Sequence, residues 1–126
     1  MSHKILIVED KSDSRDLLLY YFTTRGFHVV TASDGSEGLQ LAQAEKPDLI
    51  ITDLTMPNVG GVEMIKQIRT ESEFAQLPIL VYTAYGKGYI ESAMEAGANK
   101  VFSKPVNLEK LAQSVSEYLN QPTAES

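Results

Sequence analysis

Apolar residues fall in five short runs along the chain, at 5–8, 27–30, 49–51, 79–81 and 101–102. Each is short and rich in β-branched residues, the pattern expected of strands buried on both faces. Between the runs the apolar positions change to helical spacing. Leu17 and Tyr21, and Leu18 and Phe22, form i, i+4 pairs, and Arg25-Gly26 supplies a basic last turn and a stop. Leu108, Leu111, Ala112, Val115 and Leu119 keep one apolar face, with Asn107 where an N-cap belongs. Segments 36–44 and 62–69 also read as helices. So does 86–96, although Gly86, Gly88 and Gly97 weaken it. Strand and helix thus alternate five times, which argues for an α/β fold with a parallel sheet covered by helices on both faces. The spacing predicts one domain over residues 1–120 and a frayed tail over 121–126.

Composition narrows the function classes. A length of 126 residues suits one domain with one core. With 43% apolar and 22% charged residues the chain reads as globular rather than disordered. The absence of cysteine excludes disulfides, thiolate metal sites and thiol catalysis. No apolar run approaches the roughly 20 residues of a membrane span, and the start Met1-Ser2-His3-Lys4 does not read as a signal peptide, so a cytoplasmic protein is expected. A formal net charge of −6 disfavours direct nucleic-acid binding.

The polar residues that follow the apolar runs carry the chemistry. In an open parallel sheet, ligands bind beyond the carboxyl ends of the strands. Glu9 and Asp10 follow the first run, Thr52 and Asp53 the third, Tyr82 and Thr83 the fourth, and Ser103 and Lys104 the fifth. The second run ends in Thr31-Ala32-Ser33-Asp34, which reads as turn chemistry. Three carboxylates, one hydroxyl and one ammonium are therefore expected at one end of one sheet. Carboxylates that converge without a counter-charge raise one another's pKa, and a divalent cation resolves the conflict. Oxygen ligands without His or Cys suit Mg²⁺ or Mn²⁺. A metal, a lysine and a hydroxyl around one further carboxylate form a phosphoryl-transfer site in which that carboxylate is the nucleophile. Taken singly, Glu9, Asp10 and Thr83 could each be helix caps and Lys104 a solvated loop residue. The joint occurrence at four of the five strand ends favours the site.

These residues resemble the receiver domain of bacterial two-component response regulators, of the stand-alone type. The resemblance runs from about Lys4 to Leu119. It rests on Ile7-Val8-Glu9-Asp10, on Pro47 through Pro57 with Gly60-Gly61, on Pro78 through Ala84, on Ala96-Gly97-Ala98 and on Lys104-Pro105. It implies a flavodoxin-like (βα)5 fold with strand order 2-1-3-4-5. It also implies that Asp53 is the phosphorylation site and that Glu9 and Asp10, with Asp53 and the backbone carbonyl of Thr55, hold Mg²⁺. Thr83 would reorient toward the phosphate, Lys104 would pair with it, and the Lys104-Pro105 bond would be cis. The donor would be a histidine kinase or a histidine phosphotransfer protein.

One position departs from the family pattern. Receiver domains usually carry Tyr or Phe three residues before the lysine, and here that residue is Val101. Phe102 points to the opposite face of its strand and is expected in the core. Tyr85, two residues after Thr83, is the candidate gate, or else a shield over the acceptor.

His3 and His28 lack spaced partners and read as neither ligands nor bases. Gly60-Gly61 reads as a tight turn before a helix, with an anion site there as the alternative. Tyr20 and Tyr89 are expected to be exposed. The chain ends soon after the fifth helix and reads as complete. Output is then expected through protein contacts on the surface of the fourth and fifth helices and fifth strand, with homodimerisation there as an option. The competing readings are a small phosphatase with Asp53 as a turnover intermediate and a degenerate receiver that is never phosphorylated. Thr55 speaks against the first, because a dehalogenase-like phosphatase places a second Asp there, and the complete site residue set speaks against the second.

Overall fold

A computed structural model describes residues 3–54, 59–84 and 86–120. The strands are β1 (Lys4–Val8), β2 (His28–Ala32), β3 (Leu49–Asp53), β4 (Ile79–Thr83) and β5 (Lys100–Ser103). The helices are α1 (Ser12–Thr24), α2 (Gly35–Glu45), α3 (Gly61–Arg69), α4 (Lys87–Ala96) and α5 (Leu108–Leu119), with a short 3-10 turn at Ser72–Phe74. The strands form one five-stranded sheet in the order β2-β1-β3-β4-β5, and every neighbouring pair is parallel. The doubly wound α/β fold expected from the alternation, and its strand order, are what the structure has. No described helix is long and apolar enough to cross a membrane.

Side chains alternate across the sheet and split the core in two. Leu6, Val8, Ile50, Ile79 and Val81 face one layer with Met64, Ile65 and Ile68 of α3 and Ala93 of α4. Ile5, Ile7, Leu49, Ile51, Leu80 and Tyr82 face the other, with Leu18 and Phe22 of α1 and Leu111 and Val115 of α5. Phe102 packs against this second layer and Val101 against the first, so the two residues point to opposite faces as expected.

The structure corrects several details of the sequence reading. Burial on both faces holds for β3 and β4 and for nearly all of β1, whereas β2 and β5 are half-exposed. An open sheet must have two edges, and the polar residues His28, Thr31, Lys100 and Ser103 sit on them. Pairing with β1 carries β2 on to Ala32, so Thr31 and Ala32 belong to the strand rather than to a turn. Phe27 lies just before β2 and packs edge-on against Phe22 at 5.9 Å between ring centroids. In α1 only the Leu18/Phe22 row is buried, and Leu17 is 53% exposed. Tyr20 and Tyr89 are exposed.

Helix starts follow local chemistry where a cap is present. The Asp34 Oδ1 accepts from the Glu37 N–H at 2.8 Å, and Glu37 reaches back to the Ser33 N–H at 2.7 Å, satisfying donors at the start of α2 from both sides. Asn107 caps α5 by accepting from the Lys110 N–H at 3.0 Å.

Gly60-Gly61 is not a turn that needs left-handed backbone, since Gly60 has φ −75°. The requirement is for space. A Cβ on Gly61 would lie 2.5 Å from the carbonyl oxygen of Asp53 and 2.8 Å from the Leu54 Cα. The bare backbone at Gly61 lets α3 start hard against the end of β3. Gly61→Ala is expected to lower the unfolding free energy by about 2 kcal/mol, read as a lower urea midpoint; an unchanged midpoint would contradict this packing.

Candidate functional site

Strand register decides which polar groups meet. Val8 is level with Thr52, so Glu9 and Asp10 emerge beside Asp53. Asp53 is level with Tyr82, and Thr83 with Ser103, which brings Lys104 to the same end. The Lys104 N–H donates to the Thr83 carbonyl at 2.9 Å, and the Lys104–Pro105 peptide is cis.

Asp53 is 4% exposed. Its Oδ2 lies 3.0 Å from the Lys104 ammonium and its Oδ1 accepts from the Leu54 N–H at 2.6 Å. Both oxygens thus meet a donor, as a buried carboxylate requires. Thr83 is fully buried at the adjacent strand end.

Glu9 is fully buried. Its Oε2 accepts from the Lys11 N–H at 3.0 Å, and its Oε1 accepts from the Tyr82 hydroxyl at 2.5 Å. Burial pushes the Glu9 carboxyl above the usual carboxylate range, and the nearby Asp53 charge adds to this, while the bonds from Tyr82 and Lys11 oppose it. Burial also raises the Tyr82 phenol, as does its bond to Glu9, so it stays a proton donor. Neither Glu9 nor Asp10 caps α1; Lys11 stands at the N-cap without a side-chain bond. Thr83 does not cap α4 either, where Gly86 stands at the N-cap.

One oxygen from each of Glu9, Asp10 and Asp53 lies within 4.8 Å of the others. Asp10 Oδ1 is buried and has no hydrogen-bond partner. An orphaned oxygen on a carboxylate grouped with two others is costly in a bare protein and is satisfied by a hard cation. The donor set therefore fits Mg²⁺. Thr55, whose carbonyl was expected to join it, and the gate candidate Tyr85 lie outside the described residues.

Two contributors were not singled out by sequence reasoning. Arg15 of α1 donates to the backbone carbonyls of Glu9 at 3.0 Å and Asp10 at 3.4 Å, pinning the acidic loop from the helix side. Tyr82 was read only as part of a strand end, yet its hydroxyl bonds Glu9 and the Lys104 ammonium lies 5.1 Å from its ring centroid. The available signal was a phenol within a β4 run buried at every position, where an O–H must find a partner.

An apolar groove of about 580 Å³ opens beside the site, between α1 and the segment leading into α5. Leu17, Leu18, Tyr82, Lys104, Pro105 and Leu108 are among its walls.

Comparison with known proteins agrees with this arrangement. The family model of the response regulator receiver domain matches residues 5–116. The sporulation initiation phosphotransferase F of Bacillus subtilis is 32% identical over 120 residues, covering 94% of this chain and 95% of that protein. The alkaline phosphatase synthesis transcriptional regulatory protein PhoP of the same organism is 40% identical over 106 residues. That match takes in 83% of this chain and 43% of PhoP, so the chain spans less than half of that relative. Among solved structures, a putative response regulator from Chloroflexus aurantiacus superposes with a TM-score of 0.90 at 31% identity, covering 96% of this chain and 100% of the other. The chemotaxis response regulator CheY4 of Vibrio cholerae gives 0.88 at 32% identity, covering 94% and 100%. With sequence, fold and strand-end chemistry in agreement, this chain belongs to the response regulator receiver domains, the phosphorylation-dependent signalling switches of two-component systems.

Proposed function

We propose that the chain, as a receiver unit over residues 1–120, takes a phosphoryl group onto Asp53 from a phosphohistidine donor and relays its state through protein contacts. The observation that carries this reading is the Asp53 carboxylate, nearly buried, 3.0 Å from Lys104 and grouped with Glu9 and Asp10. The donor is a histidine kinase or a histidine phosphotransfer protein. The cytoplasm is the compartment that would hold both partners, and the acidic charge speaks against direct nucleic-acid binding.

The chemistry follows from the groups present. An Asp53 oxygen attacks phosphorus in line with the departing imidazole nitrogen. The new O–P bond forms as the P–N bond breaks, and the donor imidazole, protonated on its other ring nitrogen, leaves as the neutral ring. Lys104 exchanges its bond to Asp53 Oδ2 for one to a phosphoryl oxygen, and the Thr83 hydroxyl donates to another. The Leu54 N–H holds the carboxylate while this happens. Glu9, Asp10, Asp53 and the Thr55 carbonyl would hold a divalent cation, Mg²⁺ or Mn²⁺, which would supply neutralisation of the phosphoryl oxygens. Capture of the group and its slow loss are the only reactions expected of the chain itself.

Output is proposed on the face made by α4, β5 and α5, with homodimerisation through it as an option. Tyr89 and Met94 of α4 are exposed there, and β5 is an edge strand. Val101 lacks the ring that normally responds on this side, so Tyr85 is proposed as the gate over the acceptor.

Incubation with Mg²⁺ and a small acyl-phosphate donor is expected to add one phosphoryl group by intact mass, and Asp53→Asn or a chelator is expected to abolish it. No adduct on the unsubstituted chain would leave the degenerate, unphosphorylated reading standing. In the same assay Tyr85→Ala is expected to shorten the adduct's lifetime, because a bulky ring obstructs the attacking water. An unchanged decay would remove Tyr85 as the gate.

A further inference from the structure

Arg15 of α1 brings a guanidinium up to the acidic loop, and what it bonds there is backbone rather than carboxylate. Its Nη1 donates to the Glu9 carbonyl at 3.0 Å and, less closely, to the Asp10 carbonyl at 3.4 Å. Among the described residues no backbone N–H bonds either carbonyl, and Arg15 is ion-paired with no carboxylate. Its charge therefore neutralises none of the acidic oxygens, and its bonds act on the geometry of the loop that carries them.

That loop is short, since β1 ends at Val8 and α1 begins at Ser12. Its two ends are held by backbone bonds, from the Glu9 N–H to the Ala32 carbonyl at 3.0 Å and from the Arg15 N–H to the Lys11 carbonyl at 2.9 Å. Between them lies the planar peptide unit that joins Glu9 to Asp10, and the Glu9 carbonyl is its oxygen. A tilt of this plane changes ψ of Glu9 and φ of Asp10 together, and so moves one acidic side chain relative to the other. Asp10 Oδ1 has no hydrogen-bond partner to aim it, which leaves its direction to the backbone. Arg15 is steadied in turn by Leu18 and Phe22, which seat α1 in the core.

We infer that Arg15 is a positioning residue for cation affinity. It fixes the Glu9–Asp10 peptide so that the Asp10 carboxylate stays grouped with those of Glu9 and Asp53, and it leaves their oxygens open to the ion. This rests on the metal reading given under Proposed function and adds to it a residue that supplies no ligand. Two effects of Arg15 oppose each other. As a positive charge it repels an arriving cation, so by charge alone its removal tightens binding. As a brace it spares the ion the cost of ordering the loop, so its removal weakens binding. Arg15 is half-buried, which leaves its charge partly screened by solvent, and the brace is the larger effect.

The sign of the change separates the two. Arg15→Met removes the charge and the donors and keeps much of the apolar stem and the helix propensity. Calorimetric titration of the unphosphorylated chain is expected to show Mg²⁺ binding weakened about tenfold by Arg15→Met, the low end of the loss usual when a partner behind a metal ligand is removed. Arg15→Lys, which keeps the charge and one donor, is expected to fall between the methionine variant and the unsubstituted chain. Urea unfolding of the same proteins shows that each is folded under the titration conditions. A methionine variant that binds Mg²⁺ as tightly as the unsubstituted chain or more tightly, whatever its urea midpoint, overturns the role of Arg15 and leaves the metal site intact. A lysine variant that binds more weakly than the methionine variant does the same. Absence of saturable Mg²⁺ binding to the unsubstituted chain overturns the metal reading together with this one.

Discussion

Like-charge crowding at one end of the sheet is the constraint on which the site depends. Glu9, Asp10 and Asp53 bring carboxylate oxygens within 4.8 Å of one another, and among the described residues one ammonium, Lys104, is ion-paired with them. Folding concentrates this charge rather than relieving it, since Glu9 and Asp53 are both buried. The bonds from Leu54, Lys11, Tyr82 and Lys104 give a donor to each oxygen of two of the three carboxylates. The third keeps a buried oxygen without a partner. An acceptor left open beside two further carboxylates is the kind of site that a hard cation satisfies.

The fold serves this arrangement through register and close approach. Parallel pairing places the carboxyl ends of β1, β3, β4 and β5 together, so each strand delivers its reactive group at one rim. Gly61 lets α3 begin against the backbone of Asp53 and Leu54, and Arg15 fixes the carbonyls of Glu9 and Asp10. The site is thereby braced from both helical layers, which suits a group that must be held within tenths of an ångström of its productive position.

The architecture was legible because hydrophobicity changes period sharply between strands and helices. The ends of β1, β3, β4 and β5 were marked by a switch from β-branched to charged or hydroxylated residues, which placed Glu9, Asp10, Asp53, Thr83 and Lys104 at one rim. What was hidden depends on three-dimensional register. The Tyr82–Glu9 bond joins residues 73 positions apart across an intervening strand. Nothing local in the sequence pairs them. The need for glycine at position 61 was likewise misread as conformational, because steric approach to a neighbouring strand leaves no mark on a short motif. Edge and interior strands also look alike in short apolar runs, and only the sheet order makes β2 and β5 edges.

The central proposal is that Glu9, Asp10 and Asp53 hold one cation, whose binding depends on both the Asp10 and the Asp53 carboxylate. Carboxyl-carbon NMR of the unphosphorylated chain during Mg²⁺ addition tests it most directly. The account predicts that the Asp10 and Asp53 signals move together and saturate at one ion per chain. Unsaturating drift, or saturation at Asp10 while Asp53 stays fixed, would contradict it.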